Sequence, residues 1–208
     1  LHYRSHSFPT RRSSDLAFPL LACSVVSLTI IFERSIYWVS ILWGEHQILE
    51  QIEQSYLNDD SHCNQLIKQN NYRPIVKMIE SSISGLPDTS EQFERSASVA
   101  IHRITFELQK YDTLLTTIIT ISPLLGLLGT VLGLIKSFSA MTLGETLKNS
   151  ALVMSGISEA LMSTAIGLVI AIITLIFTNI FRNLKRAERA KMQEFASLIL
   201  FKFEKAEQ

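Results

Sequence analysis

TLLTTIITISPLLGLLGTVLGLI, residues 113–135, is a run of 23 residues without one charged side chain. As an α-helix it measures about 34 Å, enough to cross a hydrocarbon core of about 30 Å. Residues 17–32 and 149–181 have the same character, and the three stretches together hold a single charge, Glu159. The other Lys, Arg, Asp and Glu residues lie between or beyond them. This segregation matters more than the averages of 47% hydrophobic and 18% charged residues over 208 positions. With 19 Lys+Arg against 19 Asp+Glu, the balance also excludes a basic nucleic-acid-binding domain and a disordered acidic tail. The chain therefore reads as a polytopic membrane protein.

The fold class expected is all-α: three spans, long helices extending into the cytoplasm and a small helical cytoplasmic domain. Residues 17–43 form the first span and its interfacial extension, with Glu33 and Arg34 at headgroup level and Tyr37, Trp38 and Trp43 at or just beyond the interface. Residues 44–112 carry six basic and eleven acidic side chains and turn signals at Asn58–Ser61, Asn70-Asn71, Arg73-Pro74 and Gly85–Asp88. They form the cytoplasmic domain. Within it Asp88, Thr89 and Ser90 are N-cap candidates, and Phe93, Ala97, Ile101, Ile104, Leu108, Tyr111 and Leu115 recur at helical spacing. No Gly or Pro interrupts that pattern before Pro123, so a single helix is expected to enter the second span, 113–137. A periplasmic loop, 138–148, the third span, 149–181, and a cytoplasmic C-terminal helix, 182–208, complete the chain.

Orientation follows from Arg182, Lys185, Arg186, Arg189 and Lys191, set against Glu188 alone, just after the third span. Basic flanks stay inside, which puts the C-terminus in the cytoplasm and the N-terminus outside. Residues 1–16, LHYRSHSFPTRRSSDL, show no helical period. They resemble the conceptual translation of a sequencing-library adapter and are expected to be a non-native leader. Cys23 and Cys63 fall in segments too different to be expected as a disulfide, and His62-Cys63 lacks the second ligand pair of a zinc site. Neither a metal nor a cofactor is implied.

In the second span Thr116, Pro123, Gly126, Gly133 and Ser137 lie within about 60° of Thr130 on a helical wheel. Gly126, Gly129 and Gly133 suit close helix packing, whereas a threonine can either serve a pathway or merely bond its own i−4 carbonyl. In the third span Gly156, Ala160, Thr164, Gly167, Ala171, Thr174 and Thr178 make a second small stripe, offset from Ser155, Glu159 and Ser163. An ionisable side chain within a span costs about 2.5–3.5 kcal/mol on insertion scales, so Glu159 is a functional candidate. Its other reading is an interfacial or helix-bridging carboxyl.

These segments, PLLGLLGTVLG at 123–133 and ISEALMSTAIGL at 157–168, closely resemble the two signature segments of the MotA/TolQ/ExbB proton channel family. PLLACSV at 19–25 with IIFER at 30–34 looks like the first span of its ExbB/TolQ branch, as three spans rather than four also suggest. The resemblance extends from residue 17 to the C-terminus. It implies a homopentamer in the bacterial inner membrane around an ExbD/TolR-like single-span partner, which brings a proton-carrying aspartate. It further implies that Glu159, Thr130 and Thr164 line the proton pathway, and that a TonB- or TolA-like transducer receives the work. The rival expectation is a non-conducting membrane scaffold. An enzyme is not expected, since neither a paired carboxylate nor a nucleophile–base set stands at useful spacing.

Overall fold

A computed structural model describes residues 12–44, 47–49, 51–52, 62–83, 89–141 and 149–207. Among the described residues the fold is all-α: α1 (Arg12–Leu42), α2 (His62–Gln69), α3 (Pro74–Ile83), α4 (Ser90–Leu108), α5 (Asp112–Met141) and α6 (Asn149–Glu207). Runs long and apolar enough to cross a membrane lie in α1, α5 and α6. Leu21, Val25 and Phe32 of α1, Leu124, Leu127 and Val131 of α5, and Val169, Ile172 and Ile176 of α6 are exposed. Large apolar side chains on the outside of such helices suit lipid, where helix backbones are already satisfied internally.

The chain divides into two compact units. One comprises Leu1–Phe32 and Tyr111–Thr178, the other Glu33–Lys110 and Asn179–Gln208. In the first, Leu20 of α1, Ile118 of α5 and Ile170 of α6 form a buried cluster, against which Cys23 and Leu125 pack.

In the second unit α3 is covered by α4. Ile75, Val76, Met78 and Ile79 are buried with Phe93, Ala97, Ile101, Ile104 and Leu108, the residues whose spacing marked a helix. Thr89 is the N-cap of α4: at φ −130°, ψ 153° its hydroxyl accepts from the Gln92 N–H at 3.3 Å. The Lys77 ammonium stands 3.5 Å from a Glu107 carboxylate oxygen, linking α3 to α4 at the surface. Arg73, one residue before α3, is buried to 3% exposure. Its Nη1 and Nη2 donate to the carbonyls of Ile41 and Trp43, both at 2.6 Å, and Nε donates to the Tyr72 hydroxyl at 3.2 Å. Those carbonyls close α1, where a helix has orphan acceptors, and a cation also suits the negative end of the helix dipole.

One expectation needs correction. The helix through residue 108 does not enter the second span unbroken: Gln109 (φ −85°, ψ 2°) and Lys110 bond back three residues, to Phe106 and Glu107, and α5 begins afresh at Asp112. The polar Gln109–Asp112 run explains this, because a short acidic side chain offers the backbone local bonds that compete with a helix and suits a new N-terminus. Trp38 is buried at 3% exposure, while Trp43 is exposed. The turn signals at 58–61 and 85–88, most of the loop 138–148 and the first eleven residues lie outside the described residues, as do the His62 and Cys63 side chains.

Candidate functional site

Small residues on α5 and α6 let the two helices approach closely, antiparallel, over five successive rungs. A Cβ added to Gly126 would stand 2.9 Å from Thr164 Cα, and one on Gly133 would stand 2.6 Å from Ala160 Cβ. One on Gly167 would stand 2.5 Å from the Ser122 carbonyl oxygen; Gly129 faces the Ser163 side chain, and Gly156 faces that of Ser137. Backbones this close gain dispersion contacts that larger side chains would prevent, which matters where lipid removes the hydrophobic drive between helices.

Most hydroxyls in this seam are engaged by backbone. Thr164 Oγ1 crosses the seam to donate to the Gly126 carbonyl at 2.9 Å. Thr130 Oγ1 donates to the Leu127 carbonyl at 2.7 Å and Ser137 Oγ to that of Gly133 at 2.9 Å. Farther along α6, Thr174 and Thr178 are buried and bond the carbonyls of Ile170 and Thr174. Two serines differ. Ser122 Oγ is fully buried with no hydrogen-bond partner, and Ser163 has none among the described residues.

Glu159 is exposed on α6, one residue from the Ala160–Gly133 rung, and its carboxylate has no hydrogen bond or ion pair among the described residues. Gly133 is three residues, or about 4.5 Å, from Lys136, the first charge after the apolar run of α5. The carboxylate thus lies toward the 142–148 end of the bundle, with Thr130 and Thr164 successively deeper along α5 and α6.

The structure brings Thr164 to Gly126 and seats the glycines in the seam; it does not join Thr130, Thr164 and Glu159 by hydrogen bonds within the chain. Five residues at about 100° each set Thr164 and Glu159 about 140° apart around α6, so one hydroxyl faces the seam while the carboxylate faces outward. Sequence reasoning grouped Ser163 with Glu159, away from the packing stripe, but missed the uncommitted hydroxyl of Ser122, since a serine's bonding cannot be read from its spacing. It also missed Arg73, read only as part of a turn. Among the described residues no group of three or more His, Cys, Asp or Glu is placed to hold a metal ion.

Comparison with known proteins matches residues 70–194 to the MotA/TolQ/ExbB proton channel family. The chain is 38% identical over 180 residues to Putative biopolymer transport protein ExbB-like 3 of Synechocystis sp., covering 86% of each. It is 30% identical over 174 residues to Biopolymer transport protein exbB1 of Vibrio cholerae, covering 76% of this chain and 70% of that one. A shorter match, 38% identical over 78 residues, joins it to Tol-Pal system protein TolQ of Haemophilus influenzae, with 38% of this chain and 34% of that one covered.

Proposed function

Because this chain belongs to the MotA/TolQ/ExbB proton channel family, we propose that it is a proton-conducting stator subunit of the bacterial inner membrane, C-terminus inside and N-terminus outside. Copies of it, five in the ring the family resemblance implies, surround an ExbD/TolR-like single-span partner. Protons moving down their gradient release roughly 2.3 kcal/mol per charge per 100 mV, and that energy drives the partner's motion. A TonB- or TolA-like transducer delivers the work to outer-membrane transport or envelope maintenance.

The observation that carries this reading is Glu159: one carboxylate, exposed and without a partner among the described residues, on a helix otherwise free of charge from 149 to 181. A structural carboxyl in a span is expected to be paired, since leaving a charge uncompensated in lipid is costly. A carboxylate left facing outward can exchange protons with water or with a partner helix. Thr130 and Thr164 border the same seam and supply pathway oxygens, since a hydroxyl that donates to a carbonyl still has lone pairs to accept with.

The test is proton flux into proteoliposomes holding the full chain with its co-purifying partner and a pH-sensitive dye. Glu159→Gln keeps the side chain's size and removes its charge. Assembly is expected to persist while flux falls about tenfold or more. Wild-type flux in Glu159→Gln would show that the carboxyl is structural, whereas no flux from the wild-type protein itself would favour the non-conducting scaffold.

A further inference from the structure

We infer that Lys185 and Glu188 are register-setting residues: two charges in the long buried seam of α6 that hold this helix against its neighbours in one of the several alignments its spacing allows. The alignment does not depend on the proton-conducting reading above; its consequence for flux rests on that reading.

From Ala160 to Ile199, twelve positions of α6 follow one another at alternating intervals of four and three residues; eleven are buried and Thr164 is half-buried. That is a sustained a/d heptad pattern within one continuous helix, Asn149–Glu207. Its last six positions are Phe181, Lys185, Glu188, Met192, Phe195 and Ile199. An ammonium at an a position and a carboxylate at the following d position are thus buried, at 8% and 1% exposure. The same stretch leaves Arg186, Arg189 and Glu194 exposed, so the helix has an outer face on which charges cost little. Burying two charges is favourable only where the surroundings answer them. Arg34 of α1, at 9% exposure, stands with its guanidinium carbon 5.4 Å from the centre of the Tyr37 ring. Tyr37 lies within electrostatic reach of Glu188 and of Glu107 on α4. On α6 itself, Lys191 Nζ is 3.9 Å from Glu188 Oε2.

A heptad seam is nearly unchanged by a slide of seven residues, about 10.5 Å, because each knob then meets the next equivalent hole. Apolar knobs tolerate the exchange, since Met192 and Ile199 differ little in volume. Lys185 and Glu188 do not. A slide of seven puts the Glu188 carboxylate in the place of Phe181 or Phe195, away from Tyr37, and leaves a charge in apolar contact. The two charges therefore penalise wrong alignments more than they stabilise the right one, as a polar residue at an a position does in a coiled coil. Because α6 is continuous, the same slide would carry Glu159 about 10.5 Å, a third of a hydrocarbon core of about 30 Å.

The experiment removes both charges at similar volume, with Lys185→Met and Glu188→Leu together in the full chain. Alignment is read by disulfide trapping between α5 and α6, in a background with Cys23 and Cys63 replaced by Ala. A Cβ on Gly156 would stand 3.6 Å from Ser137 Cβ, a disulfide's spacing, so Ser137→Cys with Gly156→Cys reports the native alignment. Ser137→Cys with Asn149→Cys or with Ser163→Cys, seven residues to either side of Gly156, reports a slide of one heptad. The charge-free variant is expected to melt at or above the wild-type temperature, to lose at least about half of the native cross-link and to gain one of the slid ones. Flux, measured as above, is expected to fall about tenfold. Equal or greater stability with lost alignment and lost flux is a combination that a purely structural ion pair does not give. A melting temperature below the wild type's overturns the inference, since the charges would then stabilise rather than select. Native cross-linking at the wild-type yield overturns it too, as does its loss without a slid product, which means parted helices. If the wild-type chain carries no flux, the cross-links still decide the alignment and only the proton-conducting reading falls.

Discussion

Replacing Gly167 by Ala tests whether the α5–α6 seam is as close as its rungs indicate. The new Cβ would meet the Ser122 carbonyl oxygen at 2.5 Å and Gly126 Cα at 3.3 Å, and both are backbone atoms that no rotamer change can move. Ordinary contact begins near 3.4 Å, so the helices must part locally by about 0.9 Å. A retreat of that size stretches the Thr164 Oγ1 to Gly126 carbonyl bond from 2.9 Å to about 3.8 Å, outside hydrogen-bond range. Overpacking costs about 2 kcal/mol and the lost bond about 0.6–1 kcal/mol. Higher helix propensity returns about 0.8 kcal/mol, which leaves a net loss of about 2 kcal/mol. For a chain of this length that is a fall in melting temperature of roughly 4–8 °C. The assay is thermal unfolding of the detergent-solubilised protein followed by the fluorescence of Trp38 and Trp43. Gly126→Ala, which meets Thr164 Cα at 2.9 Å, is expected to behave similarly, and the double variant to cost less than the sum because one separation relieves both clashes. An unchanged melting temperature in Gly167→Ala, or full additivity, would refute a shared close-packed crossing.

Other outcomes rest on the same geometry. Arg73→Ala strips two carbonyls at the end of α1 of charged donors and is expected to cost about 3 kcal/mol, read as faster amide exchange over 39–43 and a lower melting temperature. Thr164→Val removes one seam hydrogen bond and is expected to cost about 1 kcal/mol while lowering flux less than Glu159→Gln does. A reporter active only in the cytoplasm is expected to work when fused at Gln208 and to fail when inserted at Gly144; the reverse pattern would overturn the orientation drawn from Arg182–Lys191.

Three features were legible in the amino-acid sequence. Long uncharged runs can end only in helices that satisfy their own backbone in lipid, so the number and class of the spans follow from composition along the chain. The period of Phe93, Ala97, Ile101, Ile104 and Leu108 marked the face that α4 buries, because burial in a helix recurs every three or four residues. The single charge in the third span singled out Glu159, since its cost in lipid stands out against neighbours that have none. Tertiary structure decided the rest. A hydroxyl in a span can bond its own helix, a facing helix or nothing, and these options share one sequence pattern. Only the α5–α6 crossing sends Thr164 to the Gly126 carbonyl while leaving Ser122 and Ser163 unbonded. Arg73 is likewise an unremarkable cation before a proline until folding brings it to Ile41 and Trp43, thirty residues away, because long-range partners leave no local periodicity to read.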